Sequence, residues 1–159
     1  MSIIYLALGT NIGDRRANLH TALAALPPEV AIVTESGIYE TPAWGYEDQP
    51  PFLNMVVKAE TNLAPLALLE HLKSLESELG RAPTFRWGPR LIDMDILFYD
   101  SLALNSPQLV VPHPRLQERA FVLVPLAEIA PELLHPVLGK TIRQLVEQVD
   151  GSDILPYSE

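Results

Sequence analysis

Apolar residues recur along the chain at two spacings, and each spacing predicts one kind of element. Short apolar or alternating runs, which predict β-strands, lie at residues 3–8, 30–39, 52–60 and 91–99. Residues 14–26 and 65–79 carry apolar side chains three or four positions apart, which predicts two amphipathic helices. Prolines and a glycine follow these helices and end them. The predicted order is therefore β-α-β-β-α-β.

That order favours an α+β fold with a ferredoxin-like βαββαβ core, in which helices cover one face of an antiparallel sheet. Two additional C-terminal helices are predicted, one at 121–129 and one from Thr141, where Thr141 and Gln144 have the spacing of a capping box. We interpret residues 1–159 as a single domain, because this length suffices for one hydrophobic core. Residues 151–159 are predicted to form a loose tail.

Composition and charge narrow the function classes. The chain has no cysteine, which excludes a disulfide scaffold, a cysteine-based zinc site and a thiol nucleophile. Its net charge is −9, which argues against a general nucleic-acid or membrane-surface binder, since both need a basic field. The chain shows no apolar run of about 20 residues and no recognisable secretory signal. We therefore expect a cytoplasmic protein without nucleic-acid or membrane partners, and a monomer.

The fourth predicted strand carries the candidate chemistry. Strict alternation places Asp93 and Asp95 on one face with Leu97 and Tyr99, and Phe98 on the opposite face with Ile92, Met94 and Ile96. Two carboxylates about 6.6 Å apart along a strand suit Mg²⁺, which one or two carboxylates hold while substrate phosphates complete its shell. Five arginines lie in the same window, at positions 81, 86, 90, 115 and 119. This combination favours a polyphosphate substrate, although a solvated strand face with arginine partners remains the alternative.

The stretch from Arg86 to Asp95, Arg-Trp-Gly-Pro-Arg-Leu-Ile-Asp-Met-Asp, resembles the signature of the 6-hydroxymethyl-7,8-dihydropterin pyrophosphokinase family. The resemblance extends over essentially the whole chain. Its other motifs are the 9–13 turn, Thr41-Pro42, Gln49-Pro50 with Phe52-Leu53-Asn54, Gly80-Arg81, Pro112-His113-Pro114 and the 119–123 run. The family's fold is an α/β sandwich on a ferredoxin-like core.

The resemblance implies an enzyme of folate biosynthesis that transfers the β,γ-pyrophosphoryl group of ATP to the hydroxymethyl oxygen of the reduced pterin and releases AMP. Asp93 and Asp95 would hold two Mg²⁺ ions and act in catalysis together with Arg81 and Arg90. The residues that the resemblance assigns to ATP are Glu76, Arg81, Trp87, Arg90, Ile96, His113 and Arg119.

The pterin site combines chemistry read from the residues with further contacts implied by the resemblance. Phe52 and Asn54 share a face of the third strand; an aromatic ring covers a flat ligand, and an amide both donates to and accepts from its polar edge. The resemblance adds Phe121 as the opposite stacking wall. It also adds edge contacts from Thr41, Pro42 and Trp44.

The chain departs from the family pattern at two positions, Pro83 and Gln108, where other members carry basic residues. Two other functions remain open. The aspartate pair also suits a Mg²⁺-dependent phosphohydrolase with water as acceptor, and the predicted sheet suits a non-catalytic ferredoxin-like binding module. No side chain stands out as the general base for the hydroxymethyl proton.

Overall fold

The computed structural model describes residues 1–42, 50–80 and 91–157. Its strands are β1 (Ser2–Thr10), β2 (Val30–Glu35), β3 (Tyr39–Thr41), β4 (Phe52–Thr61), β5 (Asp93–Tyr99), β6 (Leu104–Asn105), β7 (Val110–Val111) and β8 (Leu155–Pro156). Its helices are α1 (Arg15–Ala25), α2 (Pro65–Leu79), α3 (Ala120–Ile129) and α4 (Ile142–Val146), with a 3-10 turn at Leu116–Glu118. The predicted α+β class is confirmed, and the predicted β-α-β-β-α-β order holds with one change, the division of the second predicted strand into β2 and β3.

The main sheet has the order β5-β1-β4-β3-β8, and β2 also pairs with β4, beside β3. All of its recorded pairings are antiparallel. The single strand predicted at 30–39 is thus two strands, because pairing with β4 is interrupted around Ser36 and Gly37. Ser36 supports this break, since its hydroxyl accepts a hydrogen bond from the backbone N–H of Val56 at 2.9 Å.

Helices cover both faces of the sheet, so the prediction of a single covered face was incomplete. Met55 and Val57 of β4 belong to the core cluster under α1 and α2. Val56, between them, belongs to a second cluster with Leu123 and Leu126 of α3. A central strand between two helical layers buries both faces, which explains why residues 53–57 of β4 are all buried.

The local helix signals are confirmed. Asp14 caps α1 by accepting from the backbone N–H of Ala17 at 3.1 Å, and Pro65 occupies the first turn of α2. Thr141 and Gln144 form the predicted capping box at the start of α4. In the part of the chain that the structure describes, no helix is both long and apolar enough to cross a membrane.

A bulge at Leu97 contradicts the strict alternation predicted for the fourth strand. Tyr5 pairs with Phe98 while Leu6 pairs with Ile96, so Leu97 is the extra residue. Phe98 therefore packs in the cluster of α3 and α4, beside Tyr5. The bulge lies beyond the two aspartates, and Asp93 and Asp95 keep the common face that alternation predicts.

The end of the chain also differs from the prediction. Leu155 and Pro156 form β8, which pairs with Glu40 and Tyr39 of β3. The backbone N–H of Tyr157 donates to the carbonyl of Ile38 at 2.8 Å. Residues 154–157 are therefore attached to the sheet, and the loose tail predicted for 151–159 is wrong for this stretch.

Candidate active site

Three residues of neighbouring strands form a row across the sheet. Gly9 of β1 pairs with Asn54 of β4 on one side and with Asp93 of β5 on the other. Directly paired residues point to the same face, so the predicted pterin residue Asn54 and the predicted metal residue Asp93 face the same space. Their backbones are two strand spacings apart, about 10 Å. Asp95 follows on the next row, opposite Ala7.

A cavity of about 800 Å³ lies over this row. Its floor is the sheet, and its walls come from the turn before α3, the start of α3, and residues 149–154. The lining residues are Ala7, Leu8, Gly9, Thr41, Pro42, Phe52, Asn54, Met55, Asp93, Asp95, Arg115, Glu118, Arg119, Ala120, Phe121, Val122, Val149, Asp150 and Ile154. The volume is in the range of small-molecule sites.

At the β3–β4 end the cavity is aromatic and amide-lined. Asn54 is only 8% exposed, and its side-chain N–H donates to the hydroxyl of Thr41 at 2.9 Å. That bond orients the amide, because Thr41 is itself buried. Phe52, two residues before Asn54 on β4, and Phe121, at the start of α3, line the same cavity. The structure therefore brings together Thr41, Pro42, Phe52, Asn54 and Phe121, the described members of the predicted pterin set.

Gly9 leaves the space that the Asn54 amide occupies. A Cβ atom at Gly9 would lie 2.8 Å from the side-chain oxygen of Asn54, closer than carbon and oxygen approach without displacement. Glycine is therefore required here by close approach rather than by a special turn. From the sequence, Gly9 was expected to belong to the 9–13 turn, and its close approach to Asn54 was not predicted.

At the β5 end the cavity is charged. Asp93 and Asp95 line it together with Arg115, Glu118 and Arg119. Arg119 also connects the two ends, because its guanidinium carbon lies 5.7 Å from the centre of the Phe121 ring. Cationic side chains and the acidic pair thus line the same cavity, an arrangement suited to a polyanion carrying a metal ion.

His113 lies beside this charged end and is not among the lining residues. Burial lowers the pKa of His113 below its usual value, and the charge of Arg119 lowers this pKa further against the opposing effect of Asp95. The imidazole is therefore neutral near pH 7, and its Nδ1 accepts from the backbone N–H of Arg115 at 3.3 Å. With Nδ1 accepting, the remaining proton of the neutral ring sits on Nε2, which makes that nitrogen a donor.

Two predicted nucleotide residues lie away from the cavity lining. The Glu76 carboxylate accepts a hydrogen bond from the backbone N–H of Met94 at 2.7 Å, between the two aspartates along β5. Ile96 is buried in the core under α1 and α2, so a contact with nucleotide would have to come from its main chain. Arg81, Arg90, Trp87 and Trp44 lie outside the described residues.

The donor set at Asp93 and Asp95 fits Mg²⁺. Both carboxylates face one cavity, and the Asp95 side is open to solvent. Over residues 1–42, 50–80 and 91–157 there is no cluster of three or more histidine or carboxylate side chains that encloses an ion. Two carboxylates with an open side match a hard cation that arrives with substrate phosphates and water, rather than a closed protein cage.

Comparison with known proteins decides the family. The family model of 7,8-dihydro-6-hydroxymethylpterin-pyrophosphokinase (HPPK) matches residues 5–131. The chain belongs to this family. The predicted family, and with it the predicted transfer of a pyrophosphoryl group from ATP to the hydroxymethyl group of the pterin, are confirmed.

Two relatives match the HPPK chain over nearly its full length. A 2-amino-4-hydroxy-6-hydroxymethyldihydropteridine pyrophosphokinase of Bacillus subtilis is 52% identical and covers 99% of this chain and 98% of its own. The enzyme of the same name from Methylorubrum extorquens is 47% identical over 97% of this chain and 98% of its own.

A solved structure supports the fold. The crystal structure of wild-type Plasmodium falciparum HPPK-DHPS with pteroate has a TM-score of 0.74 at 22% identity, over 92% of this chain. The HPPK chain spans only 42% of that longer chain. At this identity the likeness bears on the fold alone, and it confirms the ferredoxin-like core.

The structure also places residues in the HPPK cavity that the sequence did not single out. Arg115 was one of the five arginines noted between residues 81 and 119, but no ligand was assigned to it. Its position two residues after His113 was the feature that could have indicated a place in the site. Val149 and Asp150 follow α4, and Ile154 comes from the tail predicted at 151–159. No periodicity or motif in the tail predicted that it lines the cavity, because the position of the tail depends on pairing with a strand that is distant in sequence.

Proposed function

We propose that pyrophosphoryl transfer takes place in the 800 Å³ cavity, with the pterin at the β3–β4 end and the triphosphate at the β5 end. The row of Asn54, Gly9 and Asp93 is the observation that carries this proposal. A pterin held at Asn54 points its hydroxymethyl group along the sheet toward the aspartates, across the roughly 10 Å of two strand spacings. This arrangement on the sheet supports a close approach of the hydroxymethyl oxygen to the triphosphate, which the transfer requires.

The pterin lies between Phe52 and Phe121 in this proposal, with its polar edge on Asn54. Both rings line the cavity, and stacking on two faces orients a flat heterocycle. The bond from Asn54 to Thr41 fixes one amide hydrogen and directs the amide oxygen along the side that Gly9 leaves open. Thr41 and Pro42 close this end. We also assign Trp44, which lies outside the described residues, to the pterin site.

Asp93 and Asp95 are proposed to bind two Mg²⁺ ions that accompany ATP. Bound Mg²⁺ supplies charge neutralisation and orientation for the polyphosphate. Arg119 faces the same space and places positive charge against the phosphates. The hydroxymethyl oxygen attacks the β-phosphorus, the bond from that phosphorus to the AMP oxygen breaks, and one proton is released. The chain contributes position and charge, and no side chain is assigned as the base.

The nucleotide is proposed to lie along the β5 edge, near Glu76, Ile96 and His113. The neutral His113 ring suits a donor to a phosphate or ribose oxygen, since its Nδ1 already accepts from Arg115. Glu76 bonds to the backbone of Met94, and Ile96 lies two residues further along the same edge strand. Arg81, Trp87 and Arg90 complete the proposed ATP site from outside the described residues, with Arg81 and Arg90 acting in catalysis.

We further propose that the enzyme acts as a cytoplasmic monomer, without nucleic-acid or membrane partners. The net charge of −9 supports the absence of polyanionic and membrane partners. The monomer is part of the proposal because the described pterin and aspartate residues of one chain line a single cavity.

A product assay tests the placement of the site. With ATP, Mg²⁺ and the reduced pterin, the wild-type protein forms AMP, and formation of ADP or pterin-independent phosphate release would contradict the assignment. Asp93→Asn and Asp95→Asn are each expected to reduce the rate by about 10²-fold or more. Glu147→Gln, which changes an exposed carboxylate directly after α4 and outside the lining, is the matched control and keeps the wild-type rate. Near-normal rates in both aspartate variants would show that Asp93 and Asp95 form a solvated strand face without a role in catalysis.

A further inference from the structure

The C-terminal segment, residues 149–157, forms part of the cavity instead of extending into solvent. Val149, Asp150 and Ile154 line the cavity together with Thr41 and Pro42. Ile154 is only 7% exposed, and its backbone N–H donates to the carbonyl of Gly151 at 3.1 Å. The segment therefore contains a turn at 151–154, and the buried side chain of Ile154 holds it in place as part of the cavity wall.

Pairing with β3 continues this attachment. Leu155 pairs with Glu40, immediately before Thr41, and Pro156 pairs with Tyr39. The segment thus lies on the sheet edge that carries Thr41, while Asp93 and Asp95 lie on the edge strand at the opposite end of the strand order. Any effect of the segment on ligands should reach the β3–β4 end of the cavity first.

One side chain, Arg15 in the first turn of α1, connects the segment to the rest of that end. Its Nη1 lies 2.8 Å from a carboxylate oxygen of Glu40 and donates to the carbonyl of Pro51 at 2.8 Å. Its guanidinium carbon also lies 5.4 Å from the centre of the Tyr157 ring. Arg15 therefore contacts the strand before Thr41, the residue before Phe52 and the end of the C-terminal segment. Its side chain is only 19% exposed, which strengthens such charge-assisted contacts.

We propose that the C-terminal segment is a wall of the pterin subsite and that Arg15 is a positioning residue for pterin binding. Arg15 does not line the cavity. It acts by fixing Glu40 and Pro51, which precede the lining residues Thr41 and Phe52, and Tyr157, three residues after the lining residue Ile154. A planar guanidinium suits this role because it stacks on a ring while its N–H groups bond in the plane. The inference rests on the proposed placement of the pterin.

Steady-state kinetics with separate titrations of pterin and Mg·ATP test it. Arg15→Ala is expected to raise the KM for pterin by about ten-fold, with the KM for ATP and the kcat at saturating pterin within about two-fold of wild type. Arg15→Lys keeps the positive charge near Glu40 but loses the planar guanidinium that stacks on Tyr157. Its KM for pterin is therefore expected to lie between those of the wild type and Arg15→Ala. Arg143→Ala removes another ion-paired arginine, whose 2.6 Å contact with Glu132 is largely exposed, and leaves both KM values unchanged.

A second variant keeps the test valid if Arg15→Ala folds poorly. Tyr157→Ala removes only the ring under the guanidinium, and a smaller rise in pterin KM alone is expected. A loss of stability with unchanged pterin KM, or an equal rise in both KM values, would overturn the positioning role.

Asn54→Ala in the same assay separates the two proposals. If Asn54→Ala raises the pterin KM while the Arg15 and Tyr157 variants do not, the inference about the segment fails and the placement of the pterin stands. If Asn54→Ala also leaves the pterin KM unchanged, both proposals fail.

Discussion

Gly9 shows how a single residue without a side chain shapes the site. A methyl group at this position would lie 2.8 Å from the Asn54 amide oxygen, and the amide is already bonded to Thr41. Either that bond or the backbone of β1 has to move to relieve the contact. The chemistry at this end of the cavity therefore depends on the absence of one atom.

Gly9→Ala is accordingly expected to weaken pterin binding. We expect a rise in the pterin KM of about 10-fold or more, because a displaced amide leaves polar atoms of the ligand unpaired. Gly37→Ala is the control, since a Cβ atom there meets only the Glu128 carboxylate, at an ordinary 3.5 Å. Pterin titrations of both variants check this, and equal KM values would show that the Asn54 amide does not bind the ligand.

His135 gives a prediction about pH and stability. It is 4% exposed, and its Nδ1 accepts from the backbone N–H groups of Val137 and Leu138 at 3.2 and 3.0 Å. Burial lowers the pKa of His135 below its usual value of 6.5, so the folded protein favours the neutral ring more than the unfolded chain does. This contribution to stability is present above about pH 6.5 and is lost as the pH falls below that value.

Urea unfolding at pH 7.5 and pH 5.0 measures the effect. The wild type is expected to lose stability between these pH values, and His135→Gln, which retains an acceptor but does not titrate, to lose less. The same loss in both proteins would contradict a role for His135. His113 is unchanged in both and contributes equally to the background.

At the scale of elements, the sequence predicted what depends on local periodicity and capping. The spacing of apolar residues predicted both long helices and the strand β4. The spacing of Thr141 and Gln144 predicted the capping box. The bulge at Leu97 and the break between β2 and β3 were not predictable in the same way, because each adjusts one strand to the register of its neighbour. A glycine within a predicted strand, here Gly37, is a weak signal of a bulge and does not specify where pairing is interrupted.

The break between β2 and β3 is held from the outside by α3. Glu128 accepts hydrogen bonds from the backbone N–H of Gly37 at 3.1 Å and from the hydroxyl of Tyr39. Burial, followed by the bond to Glu128, raises the pKa of Tyr39 to about 12. The hydroxyl therefore stays protonated and donates throughout the physiological range.

Glu128→Ala is expected to lower the free energy of unfolding by about 1–2 kcal/mol, since both donors lose a charged acceptor near the surface. A double-mutant cycle with Tyr39→Phe isolates the contribution to stability of the hydrogen bond between the Tyr39 hydroxyl and Glu128. Urea unfolding of the four proteins gives the coupling energy, and a value near zero would mean that Glu128 acts through Gly37 alone.

At the scale of the whole molecule, the net charge of −9 is unevenly distributed along the chain. Residues 81–119 hold five arginines against four carboxylates, a charge of +1, which leaves −10 on the remainder. The overall charge argues against extended polyanions, but it conceals a local charge balance suited to a short polyanion. The local balance was visible in the sequence, but the folding of Arg115, Arg119, Asp93 and Asp95 around one cavity required the structure.

Bound Mg²⁺ would offset both aspartates and make this region clearly cationic, so ATP should stabilise the fold only together with the metal. A ligand at 100 times its Kd stabilises by about 2.7 kcal/mol, which corresponds to a rise in Tm of roughly 5–10 °C for a chain of this size. Thermal unfolding with Mg·ATP is expected to show this rise, and ATP with EDTA to show little of it. Asp95→Asn should lose the metal-dependent part, whereas Glu147→Gln, which removes the same charge from an exposed position, should keep it. If both variants keep the full rise, the nucleotide binds without the aspartate pair, and the cationic character of the site then comes from its arginines alone.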